Sequence, residues 1–270
     1  MNNLVVLDAC TIVNLARIDE GNFLEDKVRA LKPYAVEKVI EEVKDRYVPL
    51  SSTSRQKLHM APYWGGLMRF EDKNVEDIAD SVRDFLNYQK KPNGELYSAA
   101  LSLFLSRVEE EKVLFYTDDY PAKQEFTSYF DFQQTGYIGD TVDLLVFLYW
   151  LSPQGQFSKD ELEKYLTALR GEYVSKVKGL QTTIIQYALS QTTTKKALAR
   201  KYDMEGLAAE LASAQPLKIT ISKCKKFFDG DKSALGKNIN KMLDDFGDSP
   251  AIVEKIGATL QGINKYGIYR

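Results

Sequence analysis

A single histidine and two cysteines among 270 residues narrow the available chemistry before any pattern is read. His59 alone cannot build a clustered-histidine metal site, and it leaves little scope for a serine or cysteine triad. Cys10 and Cys224 stand far apart, which gives neither zinc-ligand spacing nor a disulfide framework. No glycine-rich stretch runs into Lys-Ser or Lys-Thr, so a phosphate-cradling loop is excluded. Even the strongly apolar segment Val142 to Leu151 falls short of the roughly 20 residues that a membrane helix needs. Met1-Asn2-Asn3 lead into a strand pattern without a basic stretch and a long apolar run, so no signal peptide is expected. The expectation is a soluble, cytoplasmic protein with no membrane partner, whose chemistry rests on carboxylates.

What the chain does contain is an ordinary apolar fraction, 44%, enough at this length to bury a core in one domain plus a smaller one. Leu4-Val5-Val6-Leu7 is a short unbroken apolar run with two β-branched residues, which suits a strand buried on both faces of a parallel sheet. Asp8 ends it, and open α/β sheets place their ligands at the carboxyl ends of strands. Thr11 is placed to cap a helix from Ile12 through Ile18, with Asn14 one turn in and facing the same mouth. A local alternative stays open, in which Asp8 caps the turn and Thr11 and Asn14 are local hydrogen-bonders.

Strand and helix patterns then alternate, which favours α/β. Tyr34 to Val36 reads as a short strand, Glu37 to Tyr47 as a helix, and Pro49 to Asp72 as irregular, with His59 a loop residue. Helical patterns resume at Val75 to Gln89 and at Glu95 to Val108. Val113 to Tyr116 is a second buried strand, ending in Thr117-Asp118-Asp119. Phe130 to Gln134 reads as a third, ahead of an apolar helix from about Asp140, its cap, to Leu151. Ser152-Pro153-Gln154-Gly155-Gln156 breaks the pattern, which places an α/β domain at 1–157 and a mainly helical one at 158–270. The helical patterns of the second part are Ser158 to Leu169, opened by a Ser158/Glu161 capping box, then Tyr173 to Gln191, Thr194 to Tyr202, Met204 to Ala214, Ser233 to Phe246 and Pro250 to Ile263. Thr194 to Met204 resembles the opening of a helix-turn-helix, although Leu-Ala pairs at helical spacing usually signal packing.

Four acidic clusters stand out in the first domain: Asp8 after the first strand, Glu41-Glu42 on an early helix, Glu95 at a helix start, and Asp118-Asp119 after the second buried strand. Each has a local reading, as a solvated helix face, a first-turn carboxylate or a cap. Their order and settings resemble the PIN-domain nucleases. Val5 to Leu15 is similar to the opening segment of that family. Val39-Ile40-Glu41-Glu42-Val43 resembles the second, Gly94 to Leu101 the third, Thr117 to Ala122 the fourth, and Thr135-Gly136 the closing segment.

The resemblance covers about the first half of the chain. It implies a PIN-like parallel sheet flanked by helices, and a Mg2+- or Mn2+-dependent endoribonuclease that hydrolyses phosphodiester bonds. Asp8, Glu42, Glu95 and Asp119 would be the catalytic set, with Glu42 a better match than Glu41. Asp8, Glu95, Asp118 and Asp119 would be the metal set, and Thr11, Asn14 and Thr117 auxiliary. An RNA substrate, a protein inhibitor or antitoxin of a toxin-antitoxin system, and a homodimer are the partners it suggests. A structure-specific DNA nuclease and a non-catalytic PIN-shaped scaffold for nucleic acid or protein are the competing readings. The residue types suit the chemistry, because magnesium prefers oxygen ligands and a bound divalent ion serves phosphodiester hydrolysis without histidine or cysteine. A dehalogenase-type phosphatase would want an aspartate at the position of Cys10, and a receiver domain an adjacent acidic pair early in a shorter chain.

The net charge of −2 conceals two opposite halves. Residues 158–270 carry nineteen Lys and Arg against thirteen Asp and Glu, while 1–157 carry seventeen against twenty-five. Lys195, Lys196, Arg200, Lys201, Lys223, Lys225 and Lys226 are the candidate nucleic-acid-binding residues, since clustered positive charge attracts a phosphate backbone. A solvated basic face, or one that docks the acidic domain, is the alternative.

Overall fold

The amino-terminal apolar run forms β1 (Leu4–Leu7), whose Val5, Val6 and Leu7 are buried, as a central strand covered on both faces requires. The computed structural model describes residues 4–45, 66–190, 194–212, 217–246 and 249–266. Strands β2 (Tyr34–Val36), β3 (Met68–Phe70), β4 (Val113–Tyr116) and β5 (Gly136–Gly139) join β1 in a five-stranded parallel sheet of order β3-β2-β1-β4-β5. The chain therefore builds outward from β1 on one side and returns to its other side at β4. Between these two strands the order reverses, and at such a switch point the loops leaving the strand ends diverge and open a crevice. The register runs from Leu4 opposite Val113 to Leu7 opposite Tyr116, which brings Asp8 level with Thr117.

Helices α1 (Ala9–Ile18), α2 (Phe23–Leu31), α3 (Glu37–Asp45), α4 (Glu76–Leu86), α5 (Gly94–Val108), α6 (Tyr120–Gln133) and α7 (Thr141–Leu151) flank the sheet. Helix α5 is buried along most of its length, and its Ser98, Ala99, Ala100 and Ser102 are small enough to bring its backbone close to the strands. Helix α7 opens on the expected Asp140 cap, completed as a capping box by Asp143.

Three expectations about the α/β part are corrected. Phe130 to Gln134 is not a strand but the end of α6 and its C-cap, Gln134. The Phe-Asp-Phe alternation imitates a strand, yet Ala122, Phe126, Tyr129 and Phe130 recur at helical spacing on one buried face, and Phe132 is left exposed. The strand comes next, at Gly136–Gly139, where two glycines weaken the β signal. Gly136 is required there, because a Cβ would meet the Val113 carbonyl oxygen at 1.9 Å. Met68–Phe70 is a strand inside the stretch read as irregular, while 46–65, His59 included, lie outside the described residues.

By compactness the chain divides into Met1–Leu166 with Gln261–Arg270, and Thr167–Leu260. The division falls inside α8 (Lys159–Leu189), which starts on the Ser158/Glu161 capping box. It is followed by α9 (Lys195–Ala212), α10 (Leu217–Phe228), α11 (Ala234–Phe246) and α12 (Ser249–Tyr266). Two pairs of expected helices are thus single ones. Gly171 sits inside α8 because one interior glycine costs only about 1 kcal/mol, too little to end a helix that is otherwise packed. Met204, placed at an expected helix break, is buried in the middle of α9, so the helix-turn-helix reading does not hold. Leu180, Ile184, Met204, Cys224, Phe228 and Ile239 form the core of this helical unit.

The clash at Gly136 yields a test of the sheet. Gly136→Ala must push β5 away from β4, and urea denaturation is expected to show a loss of at least about 2 kcal/mol. A midpoint equal to that of the wild type would contradict the described pairing.

Candidate active site

The loops leaving β1 and β4 meet over the switch point. Asp8 N–H donates to the Tyr116 carbonyl at 3.0 Å, and the Thr11 hydroxyl donates to the same oxygen at 3.1 Å. Helix α1 begins at Ala9, so Thr11 lies inside it and ties it to β4 instead of capping it. Asp8 occupies the N-cap position, yet its side chain makes no capping bond. Its Oδ2 instead accepts from the Thr117 hydroxyl at 2.9 Å and from the Cys10 thiol at 2.8 Å. Among the described residues its Oδ1 is buried without a hydrogen-bond partner. The local reading of Asp8 as a cap is therefore set aside.

Thr117 is buried and joins two acids, since its oxygen also accepts the Asp119 N–H at 3.1 Å. Asp119 caps α6 through Oδ1, which accepts from Ala122 N–H at 3.1 Å. Asp118 turns the other way. Its oxygens accept from Asn14 at 2.6 Å, from Thr141 N–H at 2.7 Å and from the Thr141 hydroxyl. These bonds lower its proton affinity, but burial outweighs them and pushes its pKa above the usual carboxylate range. With Asn14 and Thr141 on its oxygens, Asp118 is a tie between α1, β4 and α7.

Glu95 enters from α5. Asn93 caps that helix by accepting from Leu96 N–H at 3.2 Å, and its amide donates to Glu95 Oε2, also at 3.2 Å. The Tyr88 hydroxyl lies 3.4 Å from the same oxygen. Glu42 on α3 accepts the Gly94 N–H at 2.8 Å, so it fixes the helix end from which Glu95 projects. Gly94 permits this approach, since a Cβ there would stand 2.9 Å from Val39 Cγ2 and 3.0 Å from Glu42 Oε2. Glu95 is buried and hydrogen-bonded to Asp119, and it feels the charges of Asp8 and Asp119. Burial first, then that hydrogen bond and those charges, push its pKa up to about 8. Lys90, 3.7 Å away and half exposed, opposes the shift, but a solvated ammonium does not cancel burial beside two acids. The hydrogen bond between these two carboxyl groups favours the protonated form of Glu95.

Asp8, Glu95 and Asp119 are thus brought together, with Glu42 and Asp118 holding the elements that present them. Among the described residues no group of three acidic, histidine or cysteine side chains is arranged so that it could hold a metal ion. The donors nevertheless suit a hard divalent ion. All are carboxylate oxygens, one is buried and bare, and the proton on Glu95 takes the place of positive charge among like-charged neighbours. Cys10, Tyr88, Lys90, Asn93 and Thr141 have no assigned part in the site on sequence alone. Only Asn93, a favoured N-cap type just ahead of a helix, carried a local signal.

The basic candidates lie on α9 and α10. Lys195 and Lys196 open α9. Arg200 is held by Asp231 and lies over the rings of Tyr187, at 5.9 Å, and Phe227, at 5.3 Å, which ties it into the helical unit. Lys201 stands 3.8 Å from Glu205, and Lys223 stands 2.7 Å from Glu210. Lys225 and Lys226 are exposed. Comparisons with known protein families, with curated proteins and with solved structures find no match.

The raised pKa of Glu95 sets the sign of a pH effect. Folding stabilises its protonated form, a contribution fully present below the unfolded value of 4.5 and lost as pH rises through about 8. In the absence of divalent ions the melting temperature of the wild type is expected to fall across that window, and Glu95→Gln to flatten the slope. Equal slopes for the two proteins would remove Glu95 from this role.

Proposed function

We propose that the chain is a metal-dependent endonuclease of PIN type that hydrolyses phosphodiester bonds in RNA, with Mg2+ or Mn2+ as its cofactor. One observation carries this reading: Asp8, Glu95 and Asp119, drawn from three separate segments, meet at the reversal of strand order. These three carboxylates would hold the ion. A divalent ion there supplies positive charge to the phosphodiester transition state and a water that is nucleophilic near neutral pH.

The protein's own groups prepare the site. Burial and the neighbouring acids favour the protonated form of Glu95, and a bound cation would favour its carboxylate. Thr117 fixes Asp8 and the backbone of Asp119 together. Glu42 and Asn93 hold the end of α5, and Asp118 acts as a positioning residue through Asn14 and Thr141. Exposed Lys225 and Lys226, with Lys195, Lys196, Lys201 and Lys223, provide the charge that attracts a phosphate backbone. Arg200 is left out of that set, because its guanidinium already serves Asp231.

The test is cleavage of RNA and DNA oligonucleotides with Mg2+ or Mn2+. Asp8→Asn is expected to lower the rate by at least about 100-fold, the usual cost of one group aimed at transition-state charge. Its circular dichroism should match that of the wild type. Full activity of a clean Asp8→Asn preparation, or cleavage undiminished by chelator, would sink the metal-dependent mechanism, absence of cleavage with either ion would sink the nuclease reading, and cleavage of DNA alone would reassign the substrate.

A further inference from the structure

The two oxygens of Asp8 are in different situations. Oδ2 receives the Cys10 thiol at 2.8 Å and the Thr117 hydroxyl at 2.9 Å. Oδ1 has no partner among the described residues, although Asp8 is only 1% exposed. A carboxylate held on one side by two donors cannot turn about its Cβ–Cγ bond without losing both. Cys10 is itself held, because its sulfur accepts the Asp118 N–H at 3.1 Å and lies 3.5 Å from the Thr117 oxygen. The thiol therefore sits between the loops that leave β1 and β4.

We propose that Cys10 is a positioning residue, whose thiol holds Oδ2 of Asp8 and thereby offers Oδ1 as the single oxygen this carboxylate gives to a divalent cation. The proposal rests on the metal-site reading above and adds a residue to it. Sulfur suits the task. A thiol is a weak donor, so it orients the carboxylate while withdrawing little of the charge that attracts the cation. The long C–S bond also lets one side chain reach Asp8 Oδ2 and the Asp118 amide together. In this role the thiol is a donor to Asp8 and not itself a ligand.

Two measurements on the full chain test this. In the first, Mn2+ binding is titrated by the electron paramagnetic resonance of the free ion. Cys10→Ala is expected to weaken binding by about tenfold to a hundredfold, the usual effect of removing a partner of a metal ligand. Its metal-free melting should stay cooperative, and Cys10→Ser, which keeps a donor, should recover most of the affinity. In the second, the S–H stretching band of Cys10 is identified by its loss in Cys10→Ser, with buried Cys224 as the internal reference. That band is expected to shift in Asp8→Asn and to survive saturation with Mn2+.

Wild-type affinity in Cys10→Ala overturns the proposal. So does disappearance of the band on saturation, which would make Cys10 a thiolate ligand. A wild type that binds no Mn2+ brings down the metal-site reading itself. A band indifferent to Asp8→Asn brings down only the role of Cys10, whatever the metal does. If Cys10→Ala does not fold, Cys10→Ser and the band still decide.

Discussion

The pairing of β1 with β4 is the constraint on which the rest depends. Four residues of each strand lie side by side in parallel, and that alignment sets Asp8 beside Thr117 across more than a hundred residues of chain. Because β2 and β3 extend from one side of β1 while β4 and β5 occupy the other, the ends of β1 and β4 adjoin at the switch point of the sheet. Asp8, Thr117, Asp118 and Asp119 all inherit their positions from this arrangement. Loss of the register by one residue would turn each side chain to the opposite face.

Bringing acids together in a buried place costs free energy, and the chain manages that cost through hydrogen bonds and a retained proton. Asp8 and Asp118 have donors on their oxygens, Asp119 caps a helix, and Glu95 stays protonated up to about pH 8. The bonds to Asp118 join α1, β4 and α7, and the bond from Gly94 to Glu42 joins α5 to α3. Acidic side chains thus brace the elements that carry the other acids. Lys90 lies against Glu95 and Lys123 against Asp140, so two of the acids in this domain also have an ammonium beside them.

The helical unit shows how far a count of charges differs from an account of them. Its basic surplus is plain in the sequence, but Arg200 is drawn to Asp231 and two aromatic rings. Lys201 is a weaker case, because an exposed i,i+4 pair with Glu205 contributes a few tenths of a kcal/mol and leaves the ammonium available to other anions. A basic run therefore marks an attractive face only where its members keep their charge exposed.

Much of the α/β frame was legible because hydrophobic runs and helical spacing are local properties. Leu4–Leu7, Tyr34–Val36, Val113–Tyr116 and the Asp140 cap all appear where the pattern placed them. The misreadings have physical causes: Phe130 and Phe132 alternate like strand residues inside a helix, and β5 is built on glycines whose purpose is close approach to β4. The acids Asp8, Glu95 and Asp119 were visible as residues at strand or helix ends. Their number, order and chemical hardness belong to the sequence. The burial that raises the Glu95 pKa, the oxygen of Asp8 that stays bare and the member of the adjacent pair Asp118-Asp119 that faces Glu95 were decided only by tertiary structure. These properties depend on distances of about three ångströms between segments remote in the chain, set by strand register and helix packing.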